Sequence, residues 1–334
     1  MRKLYILGGR ERKLLLNQKR PDWSWYESAL ILEVDTESGD VRTCVTYETP
    51  IEARASEDAS VNFHTSTLAG NTLYTCTTTE VLIFQLPDFK QVGYLSLPCF
   101  NDVHHVVPSS DGNLLVVSTG LDLIVKVSHD GKVLAEWSAV PEDAEDTWSR
   151  FSRNVDYRKV ESTKPHRAHP NFVFELDGEL WATRFNQRDV ITLNGSRKRI
   201  EIAVEKPHDG IVCGDRIYFS VVDGKIVVVN RHSLSVEQVI NLREISREED
   251  QVLPAWCRGV LPVDDRRIWV GFTRIRQTKF RENIRWLKTA VHQGALLKPT
   301  HIALYDIVEK KRLKQIELEP HGLNTVFGIL PAPM

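Results

Sequence analysis

A unit of about 40 residues recurs along this chain of 334 residues, and few folds are built from repeats of that length. Each copy reads as a histidine or other polar residue, a short apolar strand, a Gly/Asp turn and a second apolar strand. A polar loop, a third strand, a tight turn and a last strand follow. One copy starts at His64, turns at Gly70-Asn71 and continues with strands at 72–75, 81–84 and 93–97. The next starts at His104-His105, turns at Asp111-Gly112 and continues at 114–117, 124–127 and 133–137. Further copies start near His169, at His208 and at Cys257-Arg258.

The sixth copy is split between the ends of the chain. Residues 321–330 read as a first strand with nothing after it, and 4–7 and 29–34 as second and third strands with nothing before them. Joining them completes the unit and removes an exposed sheet edge. The start markers 64, 104, 169, 208, 258 and 321 are separated by 40, 65, 39, 50 and 63 residues, the surplus falling in insertions near 9–27, 141–165 and 273–298. These features predict an all-β, six-bladed β-propeller with four-stranded antiparallel blades. It forms one domain over 1–334, closed by N- and C-terminal strands sharing a blade.

In such a blade the approach to the first strand and the loop between the second and third strands lie on one face. All three insertions therefore fall on the face that carries the repeated histidines. Residues 9–27, 141–168 and 273–298 hold eighteen basic and ten acidic side chains, whereas the whole chain has a net charge of −2. A basic, long-looped face favours a small anionic ligand. Arg274 and Arg276 in the last insertion, with Arg184 and Trp286, are the candidate ligand contacts. A solvated charged loop surface is the plainer reading of the same residues.

Seven of the eleven histidines stand at the start of a repeat, and the first strand of a blade is its innermost. Imidazoles from several blades would then meet at one mouth of a central channel, as a transition-metal site requires. The candidate ligands are His64, His104, His169, His208 and His321, for a divalent Fe, Mn, Zn or Cu ion. His104 and His105 point to opposite faces once the strand is extended, so at most one of the two faces the channel. Either His166 or His169 is the inward residue of its blade. Asn101, Asp102 and Asp209 are neighbouring acceptors. His105, as an acid or base, and Arg258, as an anion anchor, are the candidate catalytic groups; Cys257 beside it is a soft ligand, a nucleophile or, more commonly for such a residue, a buried structural thiol. The plainer reading is a hydrogen-bonded hub without metal.

The run from Asp111-Gly112 through 114–117, with Asp130-Gly131 after the third strand, resembles the six-bladed propellers of the NHL, gluconolactonase and streptogramin-lyase group. The resemblance is architectural and spans most of the chain. Gluconolactonase-type enzymes hold a divalent cation through a Glu/Asn/Asp hub, whereas this hub is histidine-rich, which argues against lactonase activity here. Histidine-rich hubs occur in the seven-bladed carotenoid oxygenases and nitrous oxide reductase.

The near-zero net charge gives no case for nucleic acid or a membrane surface. No apolar run approaches the roughly 18 residues that span a bilayer. Five scattered cysteines with no C-x-x-C point to a reducing cytoplasm. The functional expectation is a metalloenzyme acting on a small anion, with oxygenase, lyase and hydrolase chemistry all open. The alternative is a non-catalytic propeller that docks an anion or a protein partner on its basic face. Metal-free acid/base chemistry at a hub histidine is a third course.

Overall fold

The structure is a computed structural model that describes residues 1–13, 21–141, 147–148, 150–195, 197–246, 252–253, 255–275 and 296–333. Six antiparallel four-stranded sheets form a ring, a six-bladed β-propeller. Five blades are continuous in sequence, with first strands at Thr67–Ala69, Val103–Pro108, Pro170–Leu176, Pro207–Cys213 and Trp256–Pro262. The sixth is assembled from Thr325–Pro331, Lys3–Glu11, Tyr26–Asp35 and Val41–Tyr47.

Burial follows from position in the ring. The middle strands are apolar on both faces, as in Leu114–Ser118 and Leu123–Val127, because a neighbouring blade covers each side. Outer strands such as Val133–Ser138 are half exposed. Six apolar clusters fill the six gaps between blades, so the core is a ring of interfaces. One of them joins Tyr5, Leu7 and Ile31 of the sixth blade to Phe63, Leu73 and Phe84 of the first, closing the circle.

The closing strands pair with Tyr5 opposite Leu330 and Ile6 opposite Ile329. Gly8 permits this approach. A Cβ there would lie 1.7 Å from the Thr325 carbonyl oxygen, inside any contact distance.

Candidate metal centre

Each blade brings its first strand to the axis, and in five of the six an irregularity at the hub end of that strand aims the side chains. In the second blade Val103 faces Ser118 and His105 faces Val117, which leaves His104 between them without a partner in the ladder. The same break falls at Asn171, at Asp209 and Gly210, at Arg258 and Gly259, and at Phe327. A β-bulge releases one residue from the alternation of the strand and re-aims it. His104, Arg258 and Phe327, released in this way, line a hub cavity of about 370 Å³ together with His64, Asp102, His166 and His169. Asp102, His169 and Asp209 have left-handed backbone, with φ of 48°, 54° and 64°.

The imidazoles from four blades form one cluster. His64 stacks on His104 with ring centroids 4.7 Å apart, and His169 stands edge-on to His104 at 5.0 Å. His208 lies 6.4 Å from His104 and 6.5 Å from His169. Phe185 fills the gap between His169 and His208, and Phe327 packs on His64. The Arg258 guanidinium sits over the Phe327 ring at 4.8 Å and the Trp256 ring at 5.6 Å.

Two sets of three side chains bring nitrogen and carboxylate ligand atoms within 4.8 Å of one another. They are His64, Asp102 and His104, and Asp102, His166 and His169. His104 Nε2 is 3.2 Å from Asp102 Oδ1, and the Nδ1 atoms of His166 and His169 are 2.9 Å apart. The buried Nε2 atoms of His64 and His208 have no hydrogen-bond partner.

The loop that carries His166 and His169 is clamped from beneath. The Asp122 carboxylate accepts from the backbone N–H groups of Arg167, Ala168 and His169 at 2.8, 3.0 and 2.8 Å. Asn101 ties the preceding insertion to the hub by donating to the Tyr157 and Val160 carbonyls.

Burial sets the charge states. It pushes His64, His169 and His208 well below the ordinary histidine value, with the neighbouring imidazoles and Arg258 adding to the shift. Neutral imidazole is the form that binds metal. Burial by itself would raise the Asp102 carboxyl, but His104, with His166 and Lys164 behind it, outweighs that and holds it well below the usual carboxylate range. Burial raises the Asp209 carboxyl to about 6 against its bond from the Ser220 hydroxyl.

Of the residues expected from sequence to form the metal site, His64, His104, His169 and His208 converge at the hub. His321 does not. It lies exposed on a short turn, Glu319–His321, ahead of the closing strand, and Phe327 takes the hub position of that blade. His105 points between blades, not into the channel. Its ring stacks on Phe172 at 3.8 Å, and its nitrogens meet the Thr67 hydroxyl and the Val173 N–H.

Arg184 is not a surface anchor either. It is 2% exposed, pairs with Asp189 through two bonds of 2.9 and 2.7 Å, and donates to the Ala139 carbonyl. Arg274 lies at the rim, paired with Glu11 and Glu319 at 3.2 Å each. Arg258 does line the cavity, and Cys257 beside it is fully buried in the core between the fourth and fifth blades. Arg276 and Trp286 lie outside the described residues.

Sequence reasoning ranked Asp102 as an acceptor only and left His166 as a substitute for His169, whereas the structure brings all three together. A signal was present: His166 and His169 are three residues apart, close enough for one tight loop to turn both rings to the same point. Phe185 and Phe327 carried no such signal.

No protein-family model and no curated protein sequence matches the chain. Solved structures do. A protein of unknown function from Bacteroides caccae aligns over 100% of both chains at 12% identity, with a TM-score of 0.62. A chain of a nidogen/laminin complex aligns at 9% identity over 98% of this chain and 97% of its own, with a TM-score of 0.55. A streptogramin B lyase aligns at 12% identity over 94% and 88%, with a TM-score of 0.48. At these identities the likeness is one of fold. Among the described residues, no helix is long and apolar enough to cross a membrane.

Proposed function

We propose that this protein is a metal-dependent enzyme whose hub holds a divalent transition metal ion beside a small anionic substrate. The observation that carries this reading is the convergence of His64, Asp102, His104, His166 and His169 in a cavity also lined by Arg54, Lys164, Lys206 and Arg258. Imidazole nitrogens mixed with one carboxylate suit Fe, Mn, Zn or Cu. The cavity, of about 370 Å³, falls in the range of small-molecule sites.

A metal ion held there would polarise a carbonyl or phosphoryl oxygen, or lower the pKa of its water towards about 7. The chain's own residues do the rest. Arg258, with its guanidinium over the Trp256 and Phe327 rings, lines the cavity with a group whose N–H geometry matches a carboxylate or phosphate. Phe185, Trp256 and Phe327 wall the cavity with apolar surface, which strengthens its electrostatics. His208, kept neutral by burial, packs on Phe185 with its ring 6.4 Å from that of His104 and its Nε2 unpartnered.

The donor set serves hydrolytic, lyase and oxygenase chemistry alike. All five cysteines are unpaired, which suits action in a reducing cytoplasm. The partner in this reading is a small anion, not nucleic acid or membrane.

The test is metal content by mass spectrometry on untagged protein, before and after reconstitution with Fe(II), Mn(II), Zn(II) or Cu(II). A His104→Ala/His169→Ala variant, checked for its fold by circular dichroism, is measured alongside. At least one equivalent in the native protein, lost in the folded variant, is expected. No metal under any condition overturns the reading and leaves the cavity as a metal-free anion site.

A further inference from the structure

The two candidate ligand sets share one residue, Asp102, and otherwise draw on different side chains. Each consists of two imidazoles and one carboxylate. His64 and His104 come from the first and second blades, and His166 and His169 from the clamped loop before the third. We infer that the hub is a two-metal centre, with the Asp102 carboxylate bridging one ion on His64 and His104 to a second on His166 and His169. This rests on the metalloenzyme reading above and deepens it.

The spacings support two ions. Ligand atoms bound about 2.0–2.2 Å from one tetrahedral ion lie roughly 3.3–3.6 Å from each other. His104 Nε2 and Asp102 Oδ1, at 3.2 Å, approach that separation, and the two Nδ1 atoms of His166 and His169, at 2.9 Å, need to part by only a few tenths of an ångström. A carboxylate has two oxygens, so Asp102 can give one to each ion. Paired ions that share a ligand sit about 3.5–4 Å apart, a span within reach of one carboxylate.

The second set is built, not incidental. His166 Nε2 is engaged by the Thr163 hydroxyl at 3.3 Å, which leaves Nδ1 turned towards His169. The three backbone N–H bonds to the Asp122 carboxylate hold that loop in the curve that brings the rings together. Asp102 itself has left-handed backbone, and its carboxylate lies within 4.8 Å of the ligand atoms of both sets.

A two-ion centre narrows the substrate class. Two cations flanking one cavity that Arg258 also lines suit an anion that offers two oxygens, such as a phosphate monoester. One phosphoryl oxygen would go to each ion, and a water held there would add to phosphorus as the bond from phosphorus to the ester oxygen breaks, releasing an alcohol and inorganic phosphate.

The experiment is anaerobic titration of metal-stripped full-length protein with Mn(II), followed by calorimetry for stoichiometry and electron paramagnetic resonance for coupling. Two equivalents and an exchange-coupled spectrum are expected. His166→Ala should then bind one equivalent and show an uncoupled spectrum. So should His64→Ala, which removes a ligand from the other set. Asp102→Asn should lose the coupling. One equivalent in the native protein, or two without coupling, overturns the bridged pair while the metalloenzyme reading stands. No binding of Mn(II), Fe(II), Zn(II) or Cu(II) overturns both.

Discussion

His104 and His105 are chain neighbours whose rings serve opposite sides of one strand. His104 enters the hub against His64, while His105 is stacked flat on Phe172 between the second and third blades. Alternation along the strand separates them, and the bulge leaves His104 without a ladder partner between Val103 and His105.

That separation predicts two unlike phenotypes. His105→Ala removes a buried ring, 1% exposed, together with its bonds to Thr67 and Val173, and should cost about 2–4 kcal/mol in urea unfolding, in the range of large core truncations. Its metal content should match that of the native protein. His104→Ala should behave in the opposite way, with metal lost and a smaller cost to the metal-free form than His105→Ala, because its ring lines a cavity. Equal losses of stability in both variants would contradict this division.

Acid should destabilise the metal-free protein well above the carboxylate range. Burial holds His105 near 3 and His64, His169 and His208 well below 6.5, whereas the unfolded chain protonates them near 6.5. The unfolded state therefore binds more protons below pH 6.5, and stability falls as the pH drops through that value. Each histidine should contribute a loss of about 1 kcal/mol between pH 7 and 5.5. Chelator-treated protein unfolded in urea at a series of pH values gives the slope, and a flat profile over that window would mean that the imidazoles are not held neutral.

Closure of the ring depends on Gly8. The methyl group of Gly8→Ala would meet the Thr325 carbonyl at 1.7 Å, so either the closing strand or its partner must shift. A cost of about 1–3 kcal/mol is expected from such overpacking. Limited proteolysis should find the C-terminal strand cut earlier than in the native protein. Unchanged melting and digestion would show that the two ends of the chain are not locked in this register.

The architecture was legible because it rests on local chemistry that repeats. Apolar runs of strand length, Gly/Asp turns and a marker every 40 residues or so occur in the chain itself, and so does the split copy whose ends must meet. The candidate site was legible in outline for the same reason, as histidines at one place in the repeat reach one place in the ring. His321 departs from that rule because a short turn, Glu319–His321, and a left-handed Gly322 delay the strand to Thr325.

What only the tertiary structure decided is which side chain of each hub segment faces the axis, and with whom. A bulge shifts the alternation by one residue, and no residue type announces it. Asp102 and the pair His166 and His169 come from separate loops, and only the packing of the second blade against the third brings them into one cluster. Arg184 reads from sequence as a ligand contact, yet the fold encloses it in a buried pair with Asp189, and its guanidinium donates to the Ala139 carbonyl. In short, local patterns in the sequence set the strands and the ring, because hydrophobic period and turn chemistry act over a few residues. The metal centre required the closed ring, because its ligands lie up to 105 residues apart along the chain, from His64 to His169.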